Sequence, residues 1–126
     1  MKKIISTTNA PAAVGPYSQA VKAGPFLFCS GQIGVDPATG QFVEGGVKEQ
    51  ADQVMKNARA VLEAAGYTLA DVIKATVFAV DMNDFSTVNG IYASSFEHEP
   101  PARSFVEVSA LPKGALVEVE VIAWKE

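Results

Sequence analysis

Val47, Ala51, Val54, Met55, Ala58, Val61, Leu62 and Ala65 recur at the spacing of a single helix face. Lys48, Glu49, Asp52, Lys56 and Glu63 fall away from that face. A strand cannot bury this set on one side, because its side chains alternate every second residue. The spacing therefore predicts a helix over 47–65, with Gly66 placed to end it in a left-handed cap. A helix with one apolar face needs a second layer to cover that face.

The remaining chain supplies that layer as strands. Val117, Val119, Val121 and Ala123 alternate with Glu118, Glu120 and Ile122, so 116–124 reads as a strand with its valine face toward the helices. Residues 71–80 read as another, with Ile73, Ala75, Val77 and Ala79 on its inward side. Short strands are expected at 2–6, 26–30 and 102–108, an irregular loop at 9–16 and a tight turn at Asp36-Pro37-Ala38-Thr39-Gly40. A second helix should start at Asn83 or Asp84 and run to about Phe96, before Pro100-Pro101 forbids it. This order predicts an α+β fold, one mixed sheet with two helices on one face, in a single domain over 1–126.

Composition narrows the chemistry. The 126 residues are 48% hydrophobic and 19% charged, an ordinary globular balance. Ten Lys and Arg against fourteen Asp and Glu give a net charge of −4, which disfavours a nucleic-acid partner. No apolar run approaches the roughly 20 residues of a membrane-spanning helix. No secretory signal is visible either, so a cytoplasmic protein without a membrane partner is expected. The single cysteine, Cys29, allows no intramolecular disulfide, and with the single His98 it cannot build a Cys/His zinc site. Phosphate loops of the Walker type and dinucleotide fingerprints are absent.

Four places break the apolar pattern. Asn89 shares a helical stripe with Phe85, Tyr92 and Phe96, and is either a core amide bonded to nearby backbone or a ligand contact. Glu118 and Glu120 lie about 7 Å apart on one strand face, as solvated charges or as acid–base groups. Their neighbours Leu116, Ile122 and Trp124 suit a covered face better than a wet one. Arg103 stands at a strand end with Phe105 and Glu107 on its side, ready to grip a carboxylate or to pair with a glutamate. Ser30-Gly31-Gln32-Ile33-Gly34 puts two glycines just past a buried strand, where a ligand or another backbone can approach closely.

These residues carry a resemblance. Asn9-Ala10-Pro11 through Gly15-Pro16-Tyr17-Ser18-Gln19-Ala20, Ser30-Gly31-Gln32-Ile33, Asn83-Asp84-Phe85 with Val88-Asn89, Pro101-Ala102-Arg103-Ser104, Leu111-Pro112-Lys113 and Val117-Glu118-Val119-Glu120 occur in order along the chain. Together they resemble the Rid family, the YjgF-type reactive-intermediate deaminases, over essentially the whole length. The resemblance implies a chorismate-mutase-like fold and a homotrimer with active sites between subunits. It also implies hydrolysis of enamine and imine intermediates with neither cofactor nor metal. Residue by residue, it assigns Arg103 and the Phe105 backbone N–H to the substrate carboxylate and Glu118 to the attacking water. Tyr17, Ser30, Gly31 and Asn89 would line the cleft. It selects Glu118 over Glu120, a choice that spacing leaves open. Phe105 is a departure, since well-known members have cysteine there. A small-carboxylate-binding regulatory trimer is the alternative from another class, and the nuclease role attached to some relatives is disfavoured by the acidic charge.

Overall fold

The computed structural model describes residues 1–126. Along the chain run β1 (Lys3–Ile5), β2 (Ala20–Ala23), β3 (Phe26–Gln32), β4 (Val35–Asp36), β5 (Gln41–Phe42), α1 (Val47–Ala64), β6 (Val72–Ala79), α2 (Phe85–Ser94), β7 (Ala102–Glu107) and β8 (Val117–Trp124). Six strands form one mixed sheet in the order β1-β2-β3-β8-β6-β7. Only β6 and β7 are parallel, and α2 is the crossover that joins them. The expected α+β fold, a mixed sheet with two helices, is therefore the one observed. A separate hairpin, β4–β5, is added at the Asp36–Gly40 turn.

α1 ends where its apolar spacing ends, within one residue of expectation. Glu49 Oε1 accepts from the Gly46 backbone N–H at 2.9 Å at its start. At its other end Gly66, at φ +83°, lets the Tyr67 N–H return to the Leu62 carbonyl at 2.9 Å. Val54, Val61 and Leu62 of α1 and Val88 and Tyr92 of α2 pack with Leu27, Val77, Val117, Val119 and Val121 in one core. The valine face of β8 thus meets both helices, as its alternation requires.

One local expectation is corrected, and a further strand and a leading 3-10 turn are added. The inward set of β6 is Val72, Ala75, Val77 and Ala79, whereas Ile73 is 46% exposed. A register shift between Val72 and Lys74 against β8 turns two residues, 72 and 75, inward across a three-residue interval. β2 is a strand that the turn and loop signals around it concealed. The second helix begins with a 3-10 turn, Met82–Asp84, capped by Asp81, whose Oδ1 accepts from the Asn83 N–H at 2.9 Å.

A bulge in β3 matters for the site. Cys29 faces Val121 and Gln32 faces Val119, so Ser30 and Gly31 together oppose the single residue Glu120. Cys29 and Gln32 are both buried, three positions apart. The extra residue brings the Ser30-Gly31 backbone against the outer side of β8.

Candidate functional site: two half-sites on opposite faces of the sheet

The expected site residues fall into two groups. Tyr17, Ser30, Gly31 and Glu118 share one cleft of about 400 Å³, walled also by Val14 and Ile33. Arg103, Asn89 and Phe105 form the second group at the α2–β7 side. The strand registers show why they separate. Arg103 is level with Ala75 and Phe105 with Val77, both fully buried beneath the helices. Glu118 is level with Phe78, which belongs to the other side of β6. Odd positions of β7 therefore look toward the helices and even positions of β8 look away from them.

In the first group, Gly31 and Glu118 are in contact. A Cβ built at Gly31 would overlap the Glu118 carboxylate, meeting its Cδ at 2.7 Å and its Cγ at 3.0 Å. Glycine at this point of the bulge thus seats the carboxylate, which a side chain would displace. Glu118 is half-buried, while Glu120 two residues on is exposed. Burial raises the Glu118 pKa above the ordinary glutamate value, and the negative charge of Glu120 raises it further. The Ser30 hydroxyl donates to the Ser18 carbonyl at 2.6 Å, tying β3 to the loop that carries Tyr17.

In the second group, Arg103 Nη1 donates to Asn89 Oδ1 at 2.7 Å. Its guanidinium carbon lies 4.9 Å from the Tyr92 ring centroid, 5.5 Å from Phe105 and 5.8 Å from Phe85. Arg103 pairs with no glutamate, since the one salt bridge of the chain is Lys56–Asp52. Within the chain Arg103 thus takes the Asn89 amide in place of a carboxylate, and Asn89 takes the guanidinium in place of a backbone group. Tyr92 and Phe96 of the expected stripe are buried, but Phe85 is 37% exposed.

Several residues that hold the cleft were not among the expected ones. Gln19, 4% exposed, accepts from the Thr7 N–H at 2.7 Å and donates to the carbonyls of Thr7 at 3.0 Å and Pro11 at 2.8 Å. It pins the loop that forms one wall. Asn57 donates to the Ile33 and Val35 carbonyls at 3.1 and 2.9 Å. Gln50 Oε1 accepts from the Leu116 N–H at 2.9 Å, just before Glu118. Gln50 and Asn57 occur at helical spacing with Val54 and Val61, so buried amides within the α1 stripe were the available signal. Lys113, at φ +57°, adds a cation to the cleft wall. By contrast, Cys29 is buried with its thiol pushed up to about 12 by desolvation, and is no nucleophile. His98 is exposed and does not line the cleft.

A family model described as endoribonuclease L-PSP matches residues 7–125. A RutC family protein of Pyrococcus horikoshii is 58% identical over 126 residues, covering the whole of both chains. A mouse protein named 2-iminobutanoate/2-iminopropanoate deaminase is 53% identical over 123 residues, which are 98% of this chain and 91% of that one. The crystal structure of a conserved Rid family protein from Yersinia pestis has a TM-score of 0.97 at 52% identity, covering 99% of this chain and 100% of the other. Fold, motifs and full-length similarity agree, and the chain belongs to the Rid family, the family of the endoribonuclease L-PSP model.

Proposed function

We propose that the chain is a 2-iminobutanoate/2-iminopropanoate deaminase. It hydrolyses the C=N bond of small 2-imino acids, the tautomers of 2-aminoacrylate and 2-aminocrotonate, to 2-oxo acids and ammonia. Clearing these electrophiles spares pyridoxal-phosphate enzymes from them. The observation that carries this reading is Glu118, half-buried in a cleft and seated on Gly31, where burial and then the charge of Glu120 raise its pKa above the ordinary glutamate value. A carboxylate so placed is a stronger base toward a bound water than an exposed glutamate.

Arg103 holds the substrate carboxylate by parallel hydrogen bonds, helped by the backbone N–H of Phe105 on the edge strand β7. Asn89 orients the guanidinium. Glu118 takes a proton from water as its oxygen bonds to the imine carbon. That proton passes to nitrogen, which gives a carbinolamine. Its hydroxyl proton then passes to the same nitrogen, the oxygen becomes the carbonyl as the C–N bond breaks, and ammonia leaves with the 2-oxo acid. Tyr17, Ser30 and Gly31 wall the reacting centre. The imine carbon is already electrophilic, so orientation contributes most of the acceleration and no cofactor or metal is called for.

Arg103 and Glu118 on opposite sheet faces cannot hold one small substrate within a chain. The site is completed when the α2–β7 edge of one copy meets the Glu118 cleft of the next, a head-to-tail contact that closes into a ring. A homotrimer, as the family resemblance implies, is the ring we assign. It also covers Phe28, 47% exposed, and Trp124, 39% exposed, on the outer face with Ile122. A lone buried cysteine suits the cytoplasm. The nuclease description of the family model fits less well, because a cleft built around Glu118 in a chain of net charge −4 repels a polyanion.

The test couples a threonine dehydratase to this protein in amine-free buffer and follows the lifetime of the imine. Faster decay with the wild type, lost in Arg103→Ala and in Glu118→Ala, is expected. A regulatory trimer that only binds carboxylates would leave imine decay unchanged and tolerate Glu118→Ala.

A further inference from the structure

We propose that Tyr92 is a positioning residue for Arg103, holding the guanidinium through the π face of its ring and leaving the in-plane N–H donors free for the substrate carboxylate. The proposal rests on the carboxylate-binding role given to Arg103 above.

A carboxylate-binding arginine must be fixed without being neutralised. A glutamate partner would fix it but would also occupy its fork. Around Arg103 no carboxylate is paired with it. Three aromatic rings surround the guanidinium carbon instead, and Tyr92 is the nearest at 4.9 Å. Ring faces attract a cation by their quadrupole and consume none of its donors. Of the five N–H donors of the fork, one goes to Asn89.

Tyr92 is the fixed member of this cage. It is 6% exposed, belongs to the core, and packs on Phe96 with centroids 4.8 Å apart at 44°. Phe85 and Phe105 pair with each other at 4.7 Å and lie nearer the surface. The Tyr92 hydroxyl is buried with no hydrogen-bond partner. Tyr92 also borders an apolar gap between α1, α2 and β8 that no water fits. A buried hydroxyl without a partner gives no hydrogen-bonding reason for the residue, so the ring is the working part. The register strengthens the point. Arg103 sits over Ala75, whose small side chain leaves room for the guanidinium between β7 and α2.

The test replaces Tyr92 by Phe, by Leu, and by mono-, di- and trifluorinated phenylalanine, which keep the shape while draining the ring quadrupole. The stable product 2-oxobutanoate serves as the probe for dissociation constants, with imine turnover and thermal melting measured alongside. Binding should weaken stepwise with fluorine count, on the order of fivefold at the trifluorinated ring, while melting stays level. Tyr92→Phe should restore what Tyr92→Leu loses. Equal affinity across the fluorinated series overturns the proposal, and so does weakened binding in Tyr92→Phe, which would assign the role to the hydroxyl. Both results leave the deaminase reading standing if the wild type turns over imine. A wild type that neither binds 2-oxobutanoate nor shortens imine lifetime overturns the reading and this proposal together.

Discussion

Arg103 and Glu118 stand on opposite faces of the same sheet: Arg103 is level with the buried Ala75 under the helices, and Glu118 with Phe78 on the outer side. On the proposed function, a single chain thus carries both halves of the site and cannot close it alone.

Complementation follows directly. Arg103→Ala and Glu118→Ala should each be inactive, whereas the two co-refolded in equal amounts should recover activity. Random mixing in a head-to-tail ring pairs an intact Arg103 with an intact Glu118 at about a quarter of the sites. Imine-decay rates of the mixture measure this, and no recovery would place both residues in one chain's site.

Gly31→Ala should displace the Glu118 carboxylate, because the new Cβ occupies its place. A misplacement of this size costs on the order of a hundredfold in turnover. Binding of 2-oxobutanoate through Arg103 should change little. Steady-state kinetics beside a binding titration separates the two effects.

The raised pKa of Glu118 has consequences of fixed sign. Activity needs the ionised form, so the acidic limb of the rate profile should lie above the ordinary glutamate value. Burial is the larger cause and Glu120 the smaller, so Glu120→Gln should move the limb modestly toward lower pH. For stability, a carboxyl that is harder to ionise when folded favours the native state at low pH. That contribution is lost as pH rises through the folded pKa. Glu118→Gln should therefore melt higher than wild type near neutrality, with the gap closing as pH falls through the folded pKa and absent below about pH 4. Melting curves across pH would overturn this if the gap widened in acid.

Gln19→Leu should leave the Thr7 N–H and the Thr7 and Pro11 carbonyls without their partner. The expected cost is about 1–3 kcal/mol, read as a lowered urea midpoint. KM should rise as well, since the loop it pins carries the cleft wall. An unchanged midpoint would mean the loop is held by other contacts.

The sequence by itself determined the parts set by local periodicity. Helix α1 and the valine face of β8 follow from side-chain spacing, and the fold class follows from the order of elements. It also marked Asn89, Arg103, Glu118 and Gly31, because each interrupts an apolar or regular pattern. What only the tertiary structure decided depends on pairing between distant segments. The register shift that exposes Ile73, the bulge at Ser30-Gly31, and the seating of Glu118 on Gly31 arise where β8 meets β3 and β6. So does the separation of Arg103 from Glu118, because the face a side chain takes is set by strand register and not by its neighbours in sequence. The choice of Asn89, Tyr92 and Phe85 as partners of Arg103 came from packing α2 against β7, a contact between residues more than ten positions apart, whereas Phe105 follows from strand alternation.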